Sequence, residues 1–220
     1  MATRTVSGNS LVEGVKNSLI LSALENGDAM TEAALCKRLK VSRGAVRDAL
    51  AQLESQGLIE RRKKKGTSLR TPTLKEIVDF WDIRSALEGV AARLAASKIQ
   101  QKDLERLSDL IARRDQAAKV GDHKLVDQYD IEFHQTIIDV ADNGCVRDIV
   151  RNMHLYDRIF RYPASPYSAY DEHQDYGHTA IVAALASGDP AKAEDLIKRH
   201  IQAAKKCRVE ALIGKVNLFE

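Results

Sequence analysis

The segment between Val41 and Gly66 narrows the possible folds most, because it combines a helix start, a helix stop and a short hairpin. Ser42 can cap a helix whose apolar residues Val46, Leu50 and Leu53 recur at helical spacing, and Gly57 can end that helix in a left-handed conformation. Leu58-Ile59 predicts a first strand, and the basic run that follows it predicts a hairpin tip that closes at Gly66. Elements in this order are typical of a winged helix-turn-helix.

Two further helices are predicted on the amino-terminal side of this segment. Apolar residues from Leu11 to Leu19 recur at helical spacing, and Thr31 can cap the helix that precedes the turn. The break at Pro72 then separates residues 1–72 from residues 73–220. We therefore expect a winged helix-turn-helix domain with three helices and a small β hairpin, followed by a second domain.

Positive charge is concentrated in residues 1–72, which hold 13 lysines and arginines against 7 acidic residues, whereas residues 73–220 hold 21 against 24. Positive charge of this kind attracts the phosphate backbone of DNA, and arginines near a helix start suit the major groove. The alternative is that these are ordinary solvated charges. We expect double-stranded DNA to contact the recognition helix and the hairpin tip, through Ser42, Arg43, Gly44, Arg47, Lys63, Lys64, Lys65 and Gly66.

Cysteine usage and hydropathy limit the cellular setting. The three cysteines, Cys36, Cys145 and Cys207, are far apart and lack metal-binding spacing, which favours a reducing compartment. No run approaches the roughly 20 apolar residues that span a bilayer, and the amino terminus lacks the apolar core of a signal peptide. We expect a cytoplasmic protein without a membrane partner.

Residues 73–220 are predicted to be helical almost throughout and to form an all-α antiparallel bundle, so that the fold class is mainly α. Helices are predicted from about residue 122 to 140 and from about 145 to 160, and Asp189 with Pro190 is expected to begin the last one. On the first helix of this domain, a stripe of apolar residues is expected to face the core: Phe80, Ile83, Leu87, Val90 and Leu94.

Polar residues interrupt the apolar faces of three helices in this bundle. Asp130 and His134 lie one turn apart on the inward face of one helix, while His178 and His200 each share the apolar face of another. A single buried histidine is usually satisfied by a hydrogen bond. Three histidines with a carboxylate favour a divalent cation, which neutralises the buried charge and accepts the imidazole lone pairs.

The residue types leave the metal and its role open. Three imidazole nitrogens and one carboxylate oxygen suit zinc, nickel, cobalt, manganese or iron(II). We expect a divalent metal ion, with zinc as the preferred candidate. An ion with an open position can also activate water, as in a metal-dependent enzyme, although no spacing singles out a general base. A purely structural metal in a dimerisation module is a further alternative.

The chain resembles the GntR superfamily of bacterial transcription regulators. Within it, the resemblance is to the FadR subfamily, whose winged helix is joined to an all-helical ligand-binding domain called FCD. The resemblance covers nearly the whole chain. Its motifs are Val41-Ser42-Arg43, Val46 to Leu50 and Gly57-Leu58-Ile59 in the first domain, and Ile83-Arg84, Leu87-Glu88, Ala91 to Ala96, Asp130 to His134, His178 to Ile181 and Arg199-His200 in the second.

The resemblance also implies a ligand site. In the metal-binding branch of that family, an aspartate and three histidines hold a divalent cation at the floor of the effector pocket, and the effector is commonly a small organic acid. The residues implied here are Asp130, His134, His178 and His200. Arg84 is implied to lie near the effector carboxylate, and the alternative for Arg84 is a surface ion pair with Glu88.

One departure from the family pattern lies in the recognition helix, where Gly44-Ala45 replaces the Thr-Pro or similar residues of many members. This change removes a hydroxyl group and leaves the operator sequence undefined. We expect a homodimeric repressor that binds a near-palindromic operator and senses a small organic acid at a metal-containing pocket. The alternatives are a regulator whose metal is purely structural and a metal-dependent enzyme.

Overall fold

A computed structural model of the chain describes residues 8–26, 29–62, 66–150, 153 and 176–216. Contacts within the chain divide it into two units, Met1–Pro72 and Thr73–Glu220, which are called the first and the second unit below. The described residues are mainly helical and contain one two-stranded antiparallel sheet. The predicted fold class is therefore confirmed.

The first unit contains α1 (Gly8–Asn26), α2 (Glu32–Leu39), α3 (Arg43–Ser55), β1 (Ile59–Arg62) and β2 (Gly66–Leu69). Thr31 caps α2 because its Oγ1 accepts a hydrogen bond of 3.1 Å from the backbone nitrogen of Ala34. Ser42 caps α3 in the same way through the backbone nitrogen of Ala45 at 3.3 Å. Gly57 follows α3 with a φ of 68°, which glycine adopts without strain. The predicted helix starts and the predicted stop are confirmed.

The hairpin of the first unit is held against the chain that enters α2. Strands β1 and β2 pair in antiparallel register, with Arg62 opposite Gly66. Thr67 exchanges two backbone hydrogen bonds of 2.8 Å with Met30. Gly66 has a φ of 92°, and a Cβ atom at this position would lie 2.7 Å from the carbonyl oxygen of Met30. Gly66 therefore permits a close approach of two backbone segments.

An apolar core joins the three helices of the first unit to its hairpin. The stripe predicted on α3 is confirmed, since Val46, Leu50 and Leu53 are all 0% exposed. Burial of each large apolar side chain contributes roughly 1.5–3 kcal/mol, far more than a surface charge pair. The core that positions α3 includes Val15, Leu19, Leu35, Val46, Leu50, Leu53, Leu58 and Ile59.

The second unit contains α4 (Leu74–Ala96), α5 (Gln101–Lys119), α6 (His123–Ala141), α7 (residues 144–150), α8 (His178–Ala186) and α9 (Pro190–Val216). Thr73 and Glu76 form a capping box at the start of α4. Oδ1 of Asp189 accepts a hydrogen bond of 3.0 Å from the backbone nitrogen of Lys192, which confirms the predicted start of α9. Helix α4 packs on α6 and α9, while α8 packs on α5 and α9.

The buried face of α4 differs from the predicted stripe. Ile83 is 52% exposed, whereas Arg84 and Glu88 are 5% and 2% exposed. The prediction that Ile83 faces the core is therefore wrong. Hydropathy assigns both charged residues to solvent, but their mutual ion pair allows the helix to bury them. The small residues Ala91 and Ala95 continue this buried face.

Parts of the sequence predictions lie outside the described residues. The helix predicted from about 145 to 160 is described over residues 144–150, and residue 153 is also helical. The remainder of that helix lies outside the described residues. Among the helices that the structure describes, none combines the length and the apolar character that crossing a bilayer requires.

Candidate metal centre

Four potential metal ligands converge from three helices of the second unit. Asp130 and His134 lie one turn apart on α6, His178 is the first residue of α8, and His200 lies in α9. All four residues are 1–3% exposed. Each offers one ligand atom, and these atoms lie within 4.8 Å of one another. The structure therefore brings together the whole set of residues that the sequence predicts as ligands.

Asp130 lies between two of the histidines. Its Oδ1 is 3.1 Å from Nε2 of His178 and 3.8 Å from Nε2 of His134. The ring centroids of His178 and His200 are 4.4 Å apart, and those of His134 and His200 are 5.3 Å apart. Three imidazoles and one carboxylate thus surround a small common volume. This donor set suits zinc and other borderline divalent cations.

Aromatic packing limits the rotation of two of the imidazole rings. Phe133 is 1% exposed and follows the period of α6 toward the same face. Its ring centroid is 4.5 Å from that of His178 and 5.6 Å from that of His134, with interplanar angles of 83° in both pairs. Edge-to-face packing of this kind is favourable and directional. Phe133 therefore provides an apolar wall that holds the two rings in place.

Burial also determines the protonation of His200. Removal from water lowers the pKa of His200 well below 6.5, and the neighbouring His178 and His134 lower it further, while Asp130 opposes them in part. The neutral imidazole is the form that presents a lone pair to a metal ion. The chemistry of the donor set therefore fits a divalent cation.

A buried ion pair on α4 extends this cluster beyond the four potential ligands. Nε of Arg84 donates a hydrogen bond of 2.5 Å to Oε1 of Glu88, and Oε2 of Glu88 lies 2.6 Å from Nδ1 of His134. Burial raises the pKa of Glu88, but the charge of Arg84 and the interaction with His134 lower it by more, so the net shift is downward. Glu88 is therefore an ionised carboxylate.

The position of Arg84 corrects one of the two alternatives that the sequence leaves open. The pair between Arg84 and Glu88 forms, but it is buried and does not lie on the surface. The guanidinium carbon of Arg84 lies 5.0 Å from the ring centroid of Trp81. Arg84 also lines a narrow pocket whose other members are Trp81, Asp130, His134, His200, Ile201 and Ala204.

This pocket is small. It holds about 180 Å³ of empty space, part of which is open to solvent. Three of the four potential ligands, Asp130, His134 and His200, line the space beside Arg84, which is too narrow to admit a water molecule. A ligand larger than an ion therefore enters only if these side chains move.

Glu88 and Trp81 are site residues that sequence reasoning did not select. Glu88 belongs to one motif of the family resemblance, and the only contact predicted for it is a surface pair with Arg84. One signal was available, because Trp81, Arg84 and Glu88 follow the spacing i, i+3 and i+7 and therefore share a helix face. Of the histidines left out of the predicted site, His123 is exposed at the start of α6, and those at positions 154 and 173 lie outside the described residues.

The predicted DNA contacts on α3 lie at the surface of the first unit. Ser42, Arg43, Gly44 and Arg47 are all exposed, and the Ser42 hydroxyl also caps the helix. Gly66 begins β2 beside Met30. The predicted contacts Lys63, Lys64 and Lys65 lie outside the described residues.

Glu32 links α3 to the hairpin, a contact that sequence reasoning missed. Its Oε2 accepts a hydrogen bond of 2.9 Å from Nε of Arg47, and its Oε1 accepts one of 2.5 Å from Nη2 of Arg61. The hydrogen bond from Arg47 is the largest cause that lowers the pKa of Glu32, and Arg61 adds to it. The partners lie 15 and 29 residues away in the chain, so helical spacing carries no signal for them.

Comparison with known proteins agrees with this two-part organisation. The family model described as "Bacterial regulatory proteins, gntR family" matches residues 8–69, and the model described as "FCD domain" matches residues 79–203. The chain is 28% identical over 201 residues to the "Probable D-xylose utilization operon transcriptional repressor" of Paenarthrobacter nicotinovorans. The alignment covers 91% of this chain and 88% of that protein.

A second relative and a solved structure extend the comparison. The chain is 28% identical over 204 residues to the "HTH-type transcriptional regulator LutR" of Bacillus subtilis, with 81% of this chain and 90% of that protein covered. The structure titled "E. coli McbR/YncC" aligns with a TM-score of 0.76 and 19% identity, over 91% of this chain and 98% of that one. At this identity, the structural similarity shows the fold alone.

Proposed function

Because the chain belongs to the gntR family of bacterial regulatory proteins and carries an FCD domain, we propose that it is a metabolite-responsive transcriptional repressor. Its relatives are named as transcription regulators, and the chain is a regulator rather than an enzyme. In the proposal, residues 1–72 bind DNA and residues 73–220 bind the effector. Two copies bind the half-sites of a near-palindromic operator in the cytoplasm.

The observation that carries the sensing half of this proposal is the buried cluster beside Arg84. The proposed ligands of a divalent cation are Asp130, His134, His178 and His200, whose ligand atoms lie within 4.8 Å of one another. Zinc is the preferred candidate for this cation. A bound cation supplies a coordination position for an oxygen atom of the effector. Arg84 lines the same pocket and provides guanidinium donors for a carboxylate.

The charges of the site favour an anionic effector. Arg84 and Glu88 offset each other in a buried ion pair, and imidazoles that bind a metal are neutral. Asp130 contributes one negative charge, so a divalent cation leaves an excess of one positive charge in a region that water screens poorly. A small organic acid compensates this charge with its carboxylate. The excess of one charge favours an acid with a single carboxylate over a dicarboxylate.

Sensing is tested by a thermal-shift screen of small organic acids on the zinc-loaded full chain, with and without a chelator. We expect at least one acid to stabilise the protein, by about 2.7 kcal/mol at 100 times its dissociation constant, and the chelator to abolish this effect. A structural metal alone predicts destabilisation by the chelator and no response to any acid.

The ligand assignment is tested by elemental analysis of single variants. His134→Ala and His178→Ala are expected to lose the metal, because each removes one of four ligands from a buried site. The matched control is His123→Ala, which replaces an exposed histidine on the same helix as His134 and is expected to retain it. Metal content equal to wild type in both ligand variants would remove the assignment.

The DNA-binding half is proposed to use two kinds of contact. Arg43 and Arg47, on the exposed face of α3, are proposed to contact base edges in the major groove. The basic run that includes Lys63 and Lys64 is proposed to meet phosphates. Neutralising either lysine should therefore lower the slope of log affinity against log salt by about 0.9. Lys119→Gln, an exposed change in the second unit, serves as the control, and an unchanged slope in the wing variants contradicts the contact.

A further inference from the structure

We propose that Glu88 is a positioning residue that makes His134 bind the metal ion through Nε2, and that Arg84 in turn holds Glu88 in place. This inference rests on the proposed metal site and deepens it, because Glu88 is not one of the four ligands. The three residues form a chain that runs from α4 to α6 inside the second unit.

The two carboxylate oxygens of Glu88 have separate partners. Oε1 accepts the hydrogen bond from Nε of Arg84, and Oε2 lies 2.6 Å from Nδ1 of His134. Glu88 is 2% exposed and His134 is 1% exposed, so water does not compete for either contact. The separation of 2.6 Å is short for a nitrogen–oxygen pair, as expected when the acceptor is charged.

This contact selects one tautomer of His134. An imidazole that binds a metal ion is neutral and carries a single proton, and an ionised carboxylate only accepts hydrogen bonds. The proton therefore lies on Nδ1, and the lone pair lies on Nε2. Nε2 is the atom 3.8 Å from Oδ1 of Asp130, on the side where the other potential ligands meet. A carboxylate behind a metal-bound histidine also increases the basicity of that ligand.

Arg84 gives this arrangement its direction. Its guanidinium neutralises the buried charge of Glu88 and occupies Oε1, which leaves Oε2 for His134. The ring of Trp81 lies 5.0 Å from the guanidinium carbon, a distance typical of a cation–π contact that limits the movement of Arg84. The Glu88 carboxylate thus links the position of Arg84 on α4 to the orientation of His134 on α6.

The first experiment measures zinc affinity of the full-length protein by competition with a chromophoric chelator. Glu88→Gln preserves the shape of the side chain but removes its charge, and we expect the affinity for zinc alone to fall about 10- to 100-fold. The matched control is Glu105→Gln, the same replacement at an exposed position of α5, and its affinity should equal that of wild type.

A double variant tests the same role in case Glu88→Gln does not fold. Arg84→Met together with Glu88→Leu replaces the whole ion pair with apolar side chains of similar size, a change that buried pairs often tolerate. We expect this double variant to fold, with a zinc affinity lowered to a similar extent. Nitrogen-15 NMR of the zinc-loaded proteins adds a readout that a merely structural role does not change. His134 should be protonated at Nδ1 in wild type and should populate both tautomers in the double variant.

The outcomes separate this inference from the proposed function. If wild type binds no divalent metal, the metal site itself fails and the role of Glu88 fails with it. If wild type binds zinc and the zinc affinities of both Glu88 variants lie within about 2-fold of wild type, the expected decrease in affinity is absent. Only the role of Glu88 is then overturned. Weaker zinc binding by the variants together with a changed His134 tautomer supports it.

Discussion

Two carboxylates in this protein, Glu88 and Glu32, each bridge two nitrogen-bearing side chains, but they do so in different surroundings. Glu88 joins Arg84 to His134 inside the second unit, and its side chain is 3% exposed. Glu32 joins Arg47 to Arg61 on the first unit, where its side chain is 26% exposed and that of Arg47 is 64% exposed. The bond lengths are similar, so the environment makes the difference.

The comparison shows that similar hydrogen-bond geometry serves two purposes. A buried carboxylate is expensive to leave unpaired, so Glu88 holds its partners in one arrangement. An exposed carboxylate is screened by water and salt, and its ion pairs contribute little to stability. The Glu32 bridge therefore orients Arg47 and Arg61 without burying them, which is compatible with the DNA contact proposed for Arg47.

The largest effect is expected from Arg84→Met. This change leaves the Glu88 carboxylate buried without its guanidinium partner, and we expect the free energy of unfolding of the metal-free protein to fall by about 3–5 kcal/mol. Urea unfolding measures this change. The double variant Arg84→Met with Glu88→Leu should recover most of the loss. A decrease below about 1 kcal/mol, the range of an exposed pair, would show that Glu88 is no more constrained than Glu32.

An intermediate effect is expected from His200, a buried histidine of the second unit, when pH is lowered. Burial lowers the pKa of His200 well below 6.5, so below pH 6.5 the unfolded chain binds a proton that the folded chain does not. The contribution of His200 to the free energy of unfolding is therefore fully present above pH 6.5. It is lost as the pH falls, by up to about 1.4 kcal/mol per pH unit.

This pH dependence is measured by urea unfolding between pH 7 and 5 with a chelator present. His200→Asn should reduce the slope of stability against pH. His123→Asn is the control, because His123 is exposed at the start of α6. The prediction is wrong if His200→Asn leaves the slope equal to that of wild type.

The smallest effect is expected from Glu32→Gln. This replacement keeps the size of the side chain and removes the charge that pairs with Arg47 and Arg61, and stability should fall by less than about 1 kcal/mol at low salt. The difference from wild type should vanish near 1 M salt, where the screening length is about 3 Å. Asp48→Asn on α3 removes an exposed charge of the same sign and is the control.

The same Glu32 variant sharpens the comparison through DNA binding. Removal of a negative charge beside two arginines should raise affinity for non-specific DNA, while Arg47 loses the bond that orients it. The ratio of operator affinity to non-specific affinity should therefore fall, at constant salt. An unchanged ratio would mean that the Glu32 bridge does not orient Arg47 for base contacts.

The fold was largely accessible from the sequence because its signals are local. Caps such as Thr31 and Ser42 act within three residues, and the apolar spacing on α3 marks the face that Val46 and Leu50 bury. Asp130 and His134 were recognisable for the same reason, since residues one turn apart share a helix face. The face of α4 was not accessible, because the exposure of Ile83 depends on which neighbours its helix meets.

The sequence by itself determined the elements, their ends and the inward direction of the four predicted metal ligands, because these depend on helical period and on hydrogen bonds between near neighbours. The tertiary structure alone decided which polar groups meet. Glu88 lies 46 residues from His134, and Asp130 lies 48 residues from His178. Contacts over such separations depend on the packing of one helix against another, and only that packing makes burial of the Arg84–Glu88 pair favourable.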